Sequence, residues 1–169
     1  MAAVYLQLII GGILQGGIYA LAAFGLTLIF GVSNILNLAH GEFLMLGALV
    51  TFLAYSATNI SPFLIALGVI PLFFLVGSAF ERGLIRPLAN RPEHDRLVAS
   101  ILVTLGISIA IEDFTSFAWG PEEKAVSYAL PSFELGPIII STIRLVGLAF
   151  IIILTLALHY YLKRTYQGR

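Results

Sequence analysis

Four polar side chains stand together between two apolar runs: Asn34, Asn37, His40 and Glu42, within the stretch SNILNLAHGE from Ser33 to Glu42. Amides, an imidazole and a carboxylate in one short segment can bind a polar solute, relay a proton, or simply meet water at a membrane surface. Backbone that leaves a helix at membrane depth must be buried in protein or face water, and in transporters such breaks often sit at the substrate. From these residues alone, a substrate pathway or gate and a polar interfacial loop stand equal. Asn37 is a candidate N-cap for the helix that follows, whose first-turn amides would present partial positive charge to an anion. Glu42, in that first turn, is stabilised by the helix dipole whatever else it does, which weakens any catalytic role.

A second polar group recurs every four residues at Ser100, Thr104, Ser108, Glu112 and Ser116, with Asp113 and Thr115 beside it. Adjacent carboxylates in an apolar helix are costly unless they face a cavity, a partner or the interface. Glu112 and Asp113 therefore either reach water near the helix end or line an external vestibule, where an ion-coupled step would be their chemistry. His40, His94 and His159 have no metal-ligand spacing, and the chain has no cysteine, so no metal site is expected. There is no Ser/His/Asp grouping in a nucleophile setting and no phosphate-cradling glycine loop after a strand. An enzyme is not expected.

The elements that carry these residues are set by composition. Of 169 residues, 59% are hydrophobic and 11% charged, against roughly 45–50% and about 25% in ordinary soluble domains. Mean hydropathy is +0.99. A soluble chain of this size leaves much of its surface in water and could not hide so much apolar side chain, so lipid is the solvent. Nine basic and nine acidic residues, without a basic block, exclude a nucleic-acid footprint.

A bilayer core of about 30 Å needs about 20 mainly apolar helical residues. The spacing predicts an all-α polytopic protein, one transmembrane domain over 1–169, with about five spans at 5–31, 38–58, 62–80, 97–118 and 142–162. A closed barrel would alternate apolar and polar residues in ten-residue segments, which are absent. The uncleaved N-terminus reads as the first span, since no basic region or cleavage site precedes it. Arg82, Arg86, Arg91 and Arg96 in one connection, and Lys163, Arg164 and Arg169 in the tail, belong in the cytoplasm. Trp119 to Ser141, with Lys124 against Glu122, Glu123 and Glu134, belongs outside. The expected orientation is N-out and C-in. On the first span, Gly12, Gly16, Ala20, Ala23, Thr27 and Gly31 fall within an arc of about 100°. Small side chains let helix backbones approach closely, so this face is expected to pack within the chain, at a subunit interface, or along a pathway.

The stretch GGIYALAAFGLTLIFGVSNILNLAHGEFLMLGALV, Gly16 to Val50, closely resembles the LivH/LivM permeases of branched-chain amino acid ABC importers, LivH more than LivM. The resemblance continues through FERGLIRPLANRP (Phe80 to Pro92), LVASILVTLGISIAIED (Leu97 to Asp113), WGP (Trp119 to Pro121) and the final LKRTYQGR. It implies an inner-membrane permease that works with a second, LivM-like permease subunit, two cytoplasmic ABC ATPases and an external substrate-binding protein. No cofactor is implied for this chain, since the partner ATPases bind the ATP. Related permeases commonly carry amides near Glu112 and Asp113, so the resemblance assigns those carboxylates no role. Related permeases also continue past the position of Gly168-Arg169 into an ATPase-docking loop and further helices. The chain is thus expected to be an N-terminal portion, a fragment or a truncated reading frame. Three other readings remain: a urea or short-amide ABC permease, an ion-coupled secondary transporter, and a membrane-embedded structural subunit.

Overall fold

The computed structural model describes residues 2–128, 133–135, 138–140 and 142–164. Helices dominate: α1 (Ala2–Ser33), α2 (His40–Thr58), α3 (Pro62–Phe80), α4 (Arg86–Ala89), α5 (Glu93–Trp119) and α6 (Thr142–Arg164). Four stretches are long and apolar enough to cross a membrane, namely Val4–Gly31, His40–Thr58, Pro62–Ala89 and His94–Trp119. The expected fifth span falls on helix α6, whose apolar stretch, Thr142–Ala157, is shorter than the four that are long enough to cross. One element was not anticipated. A short antiparallel hairpin, β1 (Phe133–Leu135) with β2 (Ile138–Ile140), pairs Glu134 with Ile139 within the connection between α5 and α6.

Local chemistry explains where the helices stop and start. Both α1 and α2 are followed by an asparagine in the left-handed region, Asn34 at φ 50° and Asn59 at φ 52°. Each N–H closes the helix end on the carbonyl four residues back, Phe30 and Tyr55 respectively, the usual way an asparagine ends a helix. Pro62 opens α3 in its first turn, where a missing N–H costs nothing. Beyond Phe80 the helix widens into a π turn over Glu81–Ile85, with Arg86 N–H bonded to the Glu81 carbonyl, and narrows again as α4. Pro87, next in line, has no N–H to keep the α register. The Arg96 guanidinium reaches back to the Ala89 carbonyl at 3.4 Å, tying α5 to the turn before it.

The chain groups into two compact units, Met1–Phe24 with Ala129–Arg169, and Gly25–Tyr128. In the first unit Gly17 of α1 lies against Leu148 of α6, so that a methyl group at Gly17 would occupy the place of Leu148 Cδ1. The second unit is organised by α2 against α3 and by α5 against the segment between α1 and α2. Buried apolar residues among those described are Leu14, Ile35, Ala39, Leu49, Ile85 and Leu88, whereas Phe117, Phe74 and Leu67 are largely exposed. Such exposure is costly in water and costless against lipid tails.

On α1, Gly12, Gly16, Ala20, Ala23, Thr27 and Gly31 are all exposed, and a methyl group added at Gly12, Gly16 or Gly31 would meet nothing among the described residues. In the second unit, Gly25 at the C-terminal part of α1 lies close to the His40 ring.

Candidate functional site

The two polar groups singled out in the sequence meet. The break between α1 and α2, Asn34 to Ala39, lies along the Ser100, Thr104 and Ser108 face of α5. Thr104 is fully buried, and its Oγ1 accepts the Leu38 N–H at 3.0 Å while donating to the Ser100 carbonyl at 2.6 Å. The Leu36 carbonyl is also within its reach, at 3.4 Å. Four residues further along α5, Ser108 Oγ donates to Glu42 Oε1 at 3.0 Å. Backbone of the break at Leu36 and Leu38 is thereby engaged by the Thr104 hydroxyl of a neighbouring helix, as irregular chain in lipid requires of buried polar groups.

At 1.5 Å per residue α5 is about 40 Å long, Thr104 stands about 16 Å from its start at Glu93, and Ser108 about 22 Å. The break therefore docks along the middle third of α5, well inside the length of that helix.

Within the break each predicted residue has its own position. Asn34 is exposed and ends α1. Asn37 is buried, at 7% exposure, and its Oδ1 accepts the Ala39 N–H at 3.1 Å. This is a correction to its expected role: Asn37 does not cap α2, whose N-cap is Ala39 without a side-chain bond. The amide instead folds the turn two residues ahead of the helix. His40, half-buried, packs its ring against Gly25 of α1, where a β-carbon would stand 3.1 Å from Cε1 and 3.3 Å from Nε2. Glu42, half-buried, sits in the first turn of α2 and is held by Ser108. Glu112 and Asp113 are exposed on α5 and are not among the described residues lining the cavity below.

Asn37 and His40 line a cavity of about 1100 Å³ between α2 and α3. Its walls are apolar, with Leu28, Ile35, Leu44, Phe52, Val69 and Phe73 among them. At one end, Phe43 of α2 meets Phe80 of α3 edge-on, with centroids 4.9 Å apart, and Glu81 and Arg86 border the space. At the other end, Lys124 and Val126 border it. The chain there is clasped by Tyr128, whose ring meets both Tyr55 of α2 and Phe63 of α3 edge-on at 6.2 Å, while Tyr55 Oη donates to the Ser127 carbonyl at 3.4 Å. Sequence reading gave Lys124 only a place in the charge balance of an outer connection, and gave no role to Gly25 or Tyr128. Gly25 lies outside the small-residue stripe, and nothing local to residues 124–128 announces that they fold back across α2 and α3.

The exposed, left-handed Asn34 gives a direct test of backbone against side-chain roles. Asn34→Gly is expected to leave stability and uptake unchanged, because glycine adopts this conformation freely, whereas Asn34→Val is expected to cost about 1–2 kcal/mol. Thermal unfolding in detergent reads the difference, and a loss of uptake in Asn34→Gly would show that the amide itself is needed.

Comparison with known proteins agrees with the geometry. The chain is 28% identical to the high-affinity branched-chain amino acid transport system permease protein BraD of Pseudomonas aeruginosa, over 98% of this chain and 57% of the relative. It is 32% identical to the corresponding permease protein LivH of Salmonella typhimurium, over 82% of this chain and 45% of the relative. LivH of Escherichia coli K12 is 30% identical over 72% and 41%. The chain thus spans about half the length of the curated relatives it matches. No solved structure matches it. The family profile described as "Branched-chain amino acid transport system / permease component" matches residues 8–169, nearly the whole chain, and the chain belongs to that family.

Proposed function

We propose that this chain forms part of the transmembrane pathway of an ABC importer that passes branched-chain, hydrophobic amino acids across the inner membrane. The observation that carries the reading is the break between α1 and α2: it is held by Thr104 of α5, and Asn37 and His40 beside it border a mostly apolar cavity. Apolar walls suit a leucine, isoleucine or valine side chain, and the few polar groups suit its ammonium and carboxylate. Such walls do not favour urea or a short amide, which has little apolar surface to bury. The permease itself does no chemistry and needs no cofactor. It alternates between outward-open and inward-open states, and ATP in partner ATPases shifts that balance by binding the two states unequally. Its partners in this reading are a LivM-like permease subunit, two cytoplasmic ATPases and an external binding protein.

Uptake of radiolabelled leucine by the full transporter, with alanine at Asn37 and His40, tests the proposal. The expected result is a several-fold fall in uptake with normal assembly; unchanged uptake in a normally assembled double variant would refute the pathway role. Uptake that survives loss of ATP and collapses with the proton gradient would refute the ABC mechanism.

A further inference from the structure

The cavity has a cation at the end that the arginine distribution places outside. Lys124, the single lysine or arginine between Trp119 and Ser141, borders the cavity together with Val126. It is held there by structure: Tyr128 wedges between Tyr55 and Phe63, and Tyr55 Oη holds the Ser127 carbonyl, so the strand of chain carrying Lys124 is pinned over α2 and α3. We propose that Lys124 is a specificity-determining residue that receives the carboxylate of an incoming amino acid at the outer mouth of the cavity. The inference rests on the amino-acid pathway proposed above and deepens it.

Complementarity supports this occupant. A zwitterion with an apolar side chain presents one anionic group, one cationic group and a hydrocarbon surface. The mouth offers an ammonium, and the walls beyond it, at Phe52, Ala66 and Val69, offer hydrocarbon. A positive charge at the rim of a low-dielectric cleft raises the local concentration of an anionic group and orients it as it arrives. Carboxylate-first entry leaves the side chain trailing along the apolar wall, and a cation lacking a carboxylate is turned away.

The test compares Lys124→Arg, Lys124→Gln and Lys124→Glu in the full transporter reconstituted with its partners. Radiolabelled leucine uptake is measured at saturating binding protein and at two ionic strengths. The expected order of rates is Lys and Arg together, then Gln lower by roughly two- to five-fold, the span of a part-exposed ion pair, then Glu lower again. The gap between Lys and Gln should narrow as salt rises. Equal rates for all four would overturn the proposal. So would a change confined to the amount of binding protein needed for half-maximal rate, which would make Lys124 a docking residue for that protein. If the parent transporter moves no leucine at all, the pathway reading fails first, and that outcome is separate from any dependence on Lys124.

Discussion

Thr104→Val is expected to destabilise the protein by about 1–3 kcal/mol and to abolish most uptake, while Thr104→Ser retains both. Valine has nearly the same shape, so packing changes little; what is lost is the acceptor for the Leu38 N–H. That donor lies beside a fully buried hydroxyl, where no water replaces the bond, and an unsatisfied buried donor costs about that much. The damage concerns position as well as stability. Leu38 lies between Asn37 and His40, so a break that lets go of α5 moves both cavity-lining side chains. Denaturant unfolding in mixed micelles and leucine uptake should fall together. If Thr104→Val unfolds normally and transports normally, the hydroxyl does not hold the break.

Gly25→Val should be comparably severe and has a built-in control. A β-carbon at this position already comes within 3.1 Å of the His40 ring, and valine adds two methyl groups to that space. Overpacking of a tight contact costs about 1–3 kcal/mol, and Gly25→Ala, which needs a shift of a few tenths of an ångström, should be mild. His40→Ala combined with Gly25→Val removes the obstacle. The double variant is expected to recover folding, seen as a restored unfolding midpoint, without recovering uptake, since His40 is gone from the cavity. Recovery of neither would mean that Gly25 is needed for another reason.

The sequence carried the spans well, because lipid leaves a simple mark: long uncharged runs bounded by polar clusters. Their ends were readable where a residue type has a specific backbone use, as with Pro62. Asn34 and Asn59 had such a use, in the left-handed conformation that stops a helix, and the stretch around Asn34 was read for its side chains instead. The break and the hydroxyl face of α5 were each visible as local patterns. Their meeting was not, since Leu38 and Thr104 are 66 residues apart and nothing in one pattern points to the other. For the same reason the place along α5 where the break docks could not be read from either pattern alone. The small-residue stripe of α1 left its partner open, because its period signals closeness to something without naming it, and the approaches at Gly17 and Gly25 lie outside that stripe.

The sparseness of the buried interior, with Leu14, Ile35, Ala39, Leu49, Ile85 and Leu88 as its apolar members among the described residues, bears on what unfolding means for this protein. Parting the helices in a bilayer exchanges contact with protein for contact with acyl chains, and water never reaches the apolar surface. The large heat-capacity increment of a melting soluble domain arises from hydrating such surface, and here it has no source. Heat in lipid then scatters intact helices without melting them. The stability curve becomes nearly straight, and it lacks the cold limb that the fading hydrophobic effect gives to proteins in water.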